Sequence, residues 1–120
     1  MILICGISRA GKTTYAQRFE NVIHLDDYPQ PRFTNCNKAI SKMDGEIIVE
    51  GIYTTRKSRM KLLEAVKTND KRICIWIDTS LDVALKRGGR KEKAIKQIAE
   101  TSEPPTLDEG WDEIVIVKGE

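Results

Sequence analysis

The segment MILICGISRAGKTTYAQRF, residues 1–19, constrains the fold more than any other part of the 120-residue chain. Ile2 to Cys5 is a continuous apolar run that stops at Gly6, as a strand buried on both faces reads. Gly6 and Gly11 bracket four residues and are followed by Lys12 and Thr13, which satisfies G-x-x-x-x-G-K-[ST], and KTTYAQRF continues as a helix. A chance match to this pattern is expected only about once in a few hundred chains of this length. Glycines at these positions let the backbone curl so that successive N–H groups point at phosphate oxygens, at the positive end of the following helix. In this reading Gly6, Ser8, Arg9, Ala10, Gly11, Lys12, Thr13 and Thr14 cradle a nucleoside triphosphate. Lys12 reaches its β- and γ-phosphates and the Thr13 hydroxyl is a ligand for Mg²⁺.

The rest of the chain alternates strands with helices. Asn21 to Leu25 reads as a second strand, stopped by Asp26-Asp27-Tyr28-Pro29, and PQPRFTNCNKAISKMDG follows as a loop with one short helix. Glu46 to Gly51 is a third strand, and Met60, Leu63 and Val66 recur at helical spacing within 55–68 under a basic outer face. RICIWID, 72–78, is a fourth strand, and Thr79 or Ser80 can cap the helix LDVALKR. Gly88-Gly89 breaks that helix, RKEKAIKQIAE resumes as another, and EIVIVK, 113–118, forms a fifth strand. This order predicts an α/β three-layer sandwich around a five-stranded, largely parallel sheet with right-handed crossovers, all in a single domain over 1–120. On such a sheet ligands bind beyond the carboxyl ends of the strands. Gly6, Asp26, Glu50 and Asp78 all stand at those ends.

Composition sets outer bounds on the partners. The hydrophobic share of 40% and charged share of 32% suit a globular chain without a spanning helix, and Ile2 to Cys5 is too short for a signal peptide, so a cytoplasmic protein with no membrane partner is expected. Cys5, Cys36 and Cys74 are an odd number at wide spacing and read as reduced, packed thiols; with His24 as the one histidine there is no zinc constellation. Residues 1–99 carry 19 Lys and Arg against 11 Asp and Glu, whereas 100–120 carry one against seven. The basic residues concentrate in TTRKSRMK and KRGGRKEKAIK, which suit either a polyanion or ordinary solvated helix faces.

Three further groups carry chemistry. HLDDYP places Asp26 and Asp27 after the second strand, where one carboxylate can take a proton from an attacking hydroxyl while the other caps a turn or contacts the acceptor. IIVEG puts Glu50 at the end of the third strand, where it can hold water on Mg²⁺. KRGGRKEK offers Arg87 and Arg90 across a Gly-Gly, able to fold over a nucleotide and neutralise charge on a transferred phosphoryl group. The guanine-reading Asn-Lys-x-Asp of Ras-type GTPases is missing, because Asn37-Lys38-Ala39-Ile40 lacks the aspartate, and the chain is too small for the usual motor core.

Taken together these residues resemble the P-loop kinases, most closely the 5′-kinase domain of bacteriophage-type polynucleotide kinase. The resemblance rests on Gly6 to Thr14, on I-H-L-D-D-Y at 23–28, on Leu85-Lys86-Arg87 with Arg90, and on the ending PPTLDEGWDEIVIV. It implies Asp26 as general base and Arg87 and Arg90 as lid arginines. The family's acceptor-binding arginine after Asp-Asp-Tyr is replaced by Pro29, which leaves Arg32, with Asp27, as the candidate acceptor contacts. The resemblance further implies an ATP- and Mg²⁺-dependent kinase, of phage origin and engaged in DNA modification, that phosphorylates a hydroxyl on a nucleic acid: a 5′ end or a hydroxymethylated base. Residues 56–61 and 86–93 are then expected along the backbone phosphates. The alternatives are a small-molecule kinase for a nucleoside or metabolite, and a regulatory ATPase. The base of ATP is expected around Arg87 and 104–107.

Overall fold

A computed structural model describes residues 1–7, 9–67, 70–88 and 91–119. Its five strands are β1 (Ile2–Cys5), β2 (Ile23–His24), β3 (Ile48–Gly51), β4 (Ile73–Asp78) and β5 (Glu113–Lys118). All pairings are parallel and the order is β2-β3-β1-β4-β5. Parallel neighbours need crossovers, and the helices supply them: α1 (Lys12–Ala16), α2 (Arg32–Ile40), α3 (Arg56–Ala65), α4 (Leu81–Arg87) and α5 (Glu92–Thr101).

Alternation along the strands separates two cores. Leu3 and Cys5 of β1, Val49 of β3 and Cys74 and Trp76 of β4 face the layer of α2 and α3, with Ile40, Leu62 and Leu63 opposite them. Ile4, Ile75 and Ile77 face the other way, against Ala16 of α1, Ala84 of α4 and Ile95 of α5. The central strands are apolar on both faces because both faces are covered. The three-layer sandwich expected from the sequence is therefore present, and among the described strands the sheet is wholly parallel.

Local boundaries differ from the reading of the sequence for identifiable reasons. Regular α1 ends at Ala16 because Gln17, Arg18 and Phe19 donate to Thr14, Tyr15 and Ala16, three residues back, which tightens the remaining turn. The second strand is two residues long, and Leu25–Asp27 turn into a short 3₁₀ segment that carries the aspartate pair. The segment after Pro31 holds a nine-residue helix anchored by Cys36 and Ile40, one turn apart and fully buried. Of the two possible caps for α4, Ser80 accepts from the Val83 N–H, whereas the Thr79 hydroxyl turns inward to the Ala10 carbonyl at 2.7 Å. No helix among the described residues is long and apolar enough to cross a membrane.

The sequence's charge asymmetry resolves within the molecule. The chain from Glu103 to Glu113 runs over α3, and its carboxylates meet basic residues there and at the start of β4. Arg59 is fully buried and makes a two-pronged pair with Glu109, Nε to Oε1 at 2.7 Å and Nη2 to Oε2 at 3.0 Å. Arg56 holds Asp108 at 2.9 Å, and Lys71 holds Glu113 at 3.0 Å. Glu109 also accepts from the Trp111 indole and the Thr106 N–H, which completes a buried polar network.

Candidate active site

The glycine loop joins the end of β1 to α1 at the carboxyl edge of the sheet, and its shape depends on two glycines. A β-carbon on Gly6 would lie 2.8 Å from the Ile77 carbonyl oxygen, so only glycine lets the loop leave β1 this close to β4. Gly11 precedes α1 with φ 102°, a conformation that side-chain-bearing residues rarely adopt. The loop is held from behind by the Thr79 hydroxyl on the Ala10 carbonyl. The first N–H groups of α1 have no acceptor within the helix, which is the electrostatic basis of anion binding at such an end.

A cavity of about 710 Å³ opens over this loop. One wall is the loop itself, with Arg9, Gly11, Lys12, Thr13 and Thr14. Opposite stand Asp26 beyond β2 and Glu50, Gly51 and Ile52 at the end of β3. Tyr15 of α1 and Arg18 of the turn that follows it complete this side, the Arg18 guanidinium lying 4.4 Å from the centre of the Tyr15 ring. The far end is formed by Arg87 and by Val117, Lys118 and Gly119.

Within the cavity the side chains are already organised. The Lys12 ammonium, largely buried, donates to the Ile7 carbonyl at 2.7 Å, so the cation is held across the loop. Glu50 is 5% exposed and its Oε1 accepts from the Thr13 hydroxyl at 3.0 Å. His24 Nδ1 lies 3.3 Å from the other oxygen, Oε2. An ionised carboxylate only accepts, so the imidazole donates there. Thr13 and Glu50, the two residues expected to hold Mg²⁺, are thus in contact. A hydroxyl beside a buried carboxylate is a hard-oxygen donor set of the kind Mg²⁺ takes together with water and phosphate oxygens.

Arg87 closes the far end through backbone contacts. Its guanidinium donates to the Arg9 carbonyl at 2.7 Å and to the Gly119 carbonyl, while Arg9 Nη2 donates back to the Arg87 carbonyl at 3.2 Å. The two arginines therefore tie α4 to the glycine loop. Gly119 is required by space, since a β-carbon there would overlap the Thr79 hydroxyl and the Ala10 carbonyl oxygen.

Of the expected site residues, Arg9, Gly11, Lys12, Thr13, Thr14, Asp26, Glu50 and Arg87 meet around one cavity. Gly6 and Ala10 shape the loop from outside it. Ser8 and Arg90 lie outside the described residues. Asp27 and Arg32 do not line the cavity: the Arg32 guanidinium is engaged by the carbonyls of Asp26, at 3.4 Å, and Tyr28, at 2.6 Å, and so braces the turn that carries Asp26. Asp78 does not line the cavity either and pairs with Lys118, which does, at 2.7 Å. Residues 104–107 belong to the crossing over α3 that leads to the amino end of β5 and do not line the cavity, whereas Val117 to Gly119, at the carboxyl end of that strand, do. Within 56–61, which suits either a polyanion or a solvated helix face, Arg59 has no exposure and Arg56 pairs with Asp108, whereas Lys57 and Lys61 are exposed. Tyr15, Arg18, Gly119 and the His24 contact were not singled out as site features from the sequence. The register of β2 on β3, which pairs His24 with Glu50, and the position of Gly119 after the last strand are the signals that point to two of them.

No protein-family model matches the chain, and no curated protein matches it. Solved structures do match its fold. A sugar kinase from Janibacter sp. HTCC2649, solved without ligand, superposes with a TM-score of 0.72 over 98% of this chain and 84% of that one, at 14% sequence identity. The arrangement of layers and strands described above is therefore one that a sugar kinase also adopts.

Proposed function

We propose that the chain is an ATP- and Mg²⁺-dependent phosphotransferase whose acceptor is a hydroxyl group of a small molecule. The observation that carries this reading is the lining of one cavity by the glycine loop with Lys12 and Thr13 and by Asp26 and Glu50, the Thr13 hydroxyl donating to Glu50. In a phosphoryl transfer the protein's work is positioning and charge stabilisation. The loop N–H groups and Lys12 bind the triphosphate oxygens. Mg²⁺, held on the Thr13 and Glu50 side, neutralises charge on the phosphates when bound. Asp26 accepts the proton of the acceptor hydroxyl as its oxygen attacks. Arg87, released from the carbonyls of Arg9 and Gly119, stabilises charge on the transferred group.

A small acceptor is favoured over a nucleic acid by two considerations. Arg56 and Arg59, two of the four cations in the basic segment 56–61, are paired within the molecule, with Lys57 and Lys61 left exposed, and one matching solved structure is named a sugar kinase. The exposed Lys86, Lys91 and Lys93 and the Asp-Asp-Tyr resemblance to phage polynucleotide kinase support a nucleic acid as the second reading. Transfer from γ-labelled ATP to sugars, nucleosides, 5′-hydroxyl DNA and RNA and hydroxymethylated DNA, each over a series of salt concentrations, separates them. Labelled sugar or nucleoside with little salt dependence supports the proposal. Labelled polynucleotide with a steep salt dependence establishes the second reading, because each phosphate contact contributes to that slope.

A further inference from the structure

We infer that His24 is a positioning residue for the divalent cation: by donating from Nδ1 to Glu50 Oε2 it orients the carboxylate that faces Thr13. The inference rests on the phosphotransferase reading of the cavity. Parallel register pairs His24 of β2 with Glu50 of β3, which makes their side chains cross-strand neighbours on one face. Glu50 then receives one donor per oxygen, Thr13 Oγ1 on Oε1 at 3.0 Å and His24 Nδ1 on Oε2 at 3.3 Å. The two donors come from different elements, the first turn of α1 and the edge strand β2.

This arrangement has a specific consequence for a glutamate. Its terminal torsion is broad and roughly two-fold, so rotamer preference alone leaves the carboxylate plane unfixed. Two hydrogen bonds on opposite oxygens fix it. With His24 removed, Oε2 loses its donor and the plane can rotate, carrying Oε1 away from the Thr13 hydroxyl. Partners of this kind behind a ligating carboxylate are worth about 10–100-fold in metal affinity or activity. His24 is also only half-buried, its side chain 36% exposed against 7% for Glu50, so its replacement leaves the core packing of the sheet in place.

The test is Mn²⁺ affinity, read by electron paramagnetic resonance on the protein saturated with a non-hydrolysable ATP analogue, with thermal unfolding of each ligand-free variant measured alongside. His24→Leu, and His24→Val as a second variant suited to a strand, are expected to weaken Mn²⁺ binding about 10-fold or more with an unchanged unfolding temperature. His24→Asn, which keeps a donor near the Nδ1 position, is expected to restore most of the affinity. Wild-type affinity in both apolar variants while Glu50→Gln is weakened would overturn the inference and leave the cation site standing. An Asn variant as weak as the apolar ones would also overturn it. Wild-type affinity in Glu50→Gln would overturn both the inference and the cation site it depends on.

Discussion

In the proposed phosphotransfer, Lys12 and Asp26 divide one reaction between two single residues. Lys12 sits inside the loop with its ammonium on the Ile7 carbonyl, so the charge is in place before a phosphate arrives. Its replacement by Ala is expected to lower kcat/KM by about 10²–10³-fold, the usual loss when one preorganised donor to a developing charge is removed. Asp26→Asn removes the proton acceptor and is expected to lower kcat by about 10²–10⁴-fold, while the Kd for ATP, measured by calorimetry, stays at the wild-type value. If Asp27→Asn is the damaging change and Asp26→Asn is silent, the base has been assigned to the wrong carboxylate. The residues legible in the sequence were those with a local signature: Lys12 and Thr13 from their spacing to glycine, Glu50 from its place at a strand end. His24 and Arg18 have no such signature, because what they touch is set by strand register and helix placement rather than by neighbours in the chain. Arg32 shows the converse, a charge that looked available and is instead engaged by the turn it supports.

Between elements, the Arg59–Glu109 pair ties α3 to the crossing that feeds β5. Arg59→Met would leave Glu109 buried without its counter-charge, and the unfolding free energy from urea titration is expected to fall by about 3–5 kcal/mol. The double variant Arg59→Met with Glu109→Leu is expected to recover much of that loss, since the uncompensated charge is then gone. The same crossing gives the stability a defined acid dependence. Burial pushes the Glu109 carboxyl up from its ordinary 4.5, but the donors from Arg59 and Trp111 outweigh it and the net shift is downward; Arg56 and Thr106 hold Asp108 down at about 2. Both carboxyls are depressed in the folded chain, so the unfolded chain binds protons first as the pH falls. Their contribution is complete above about pH 4.5 and is lost as the pH falls below it, that of Asp108 toward about 2. Unfolding temperatures measured across that window are expected to fall more steeply in the wild type than in Glu109→Gln. At the other end of β5, Gly119→Ala is expected to push the Thr79 hydroxyl off the Ala10 carbonyl and to weaken ATP binding; unchanged affinity by calorimetry would show that the loop does not depend on this support. Element identities were legible because the apolar runs of β1, β4 and β5 and the helical spacing of α3 repeat their own period. The short β2 and the polar α2 were less so, since the former is two residues of edge strand and the latter buries just Cys36 and Ile40 fully.

At the level of the whole molecule, the sequence's alternation of strands and helices leads to a sandwich with parallel strands, in which helices on both sides cover strands that are apolar on both faces. The order β2-β3-β1-β4-β5 puts β1 in the centre and so places the glycine loop at the middle of the carboxyl edge, between Glu50 and Asp26 on one side and Gly119 on the other. The charge asymmetry was legible as a number and not as a structure: the acidic tail lies on the basic helix, which shifts the account of the acceptor from a polyanion toward a small molecule. The fate of the γ-phosphate of ATP tests the central claim most directly. With labelled ATP, Mg²⁺ and a mixture of sugars and nucleosides, the account predicts label in an organic phosphate, lost in Lys12→Ala and Asp26→Asn. Label appearing only as inorganic phosphate, at a rate indifferent to every acceptor supplied, would contradict it and leave a nucleotide-hydrolysing switch in its place.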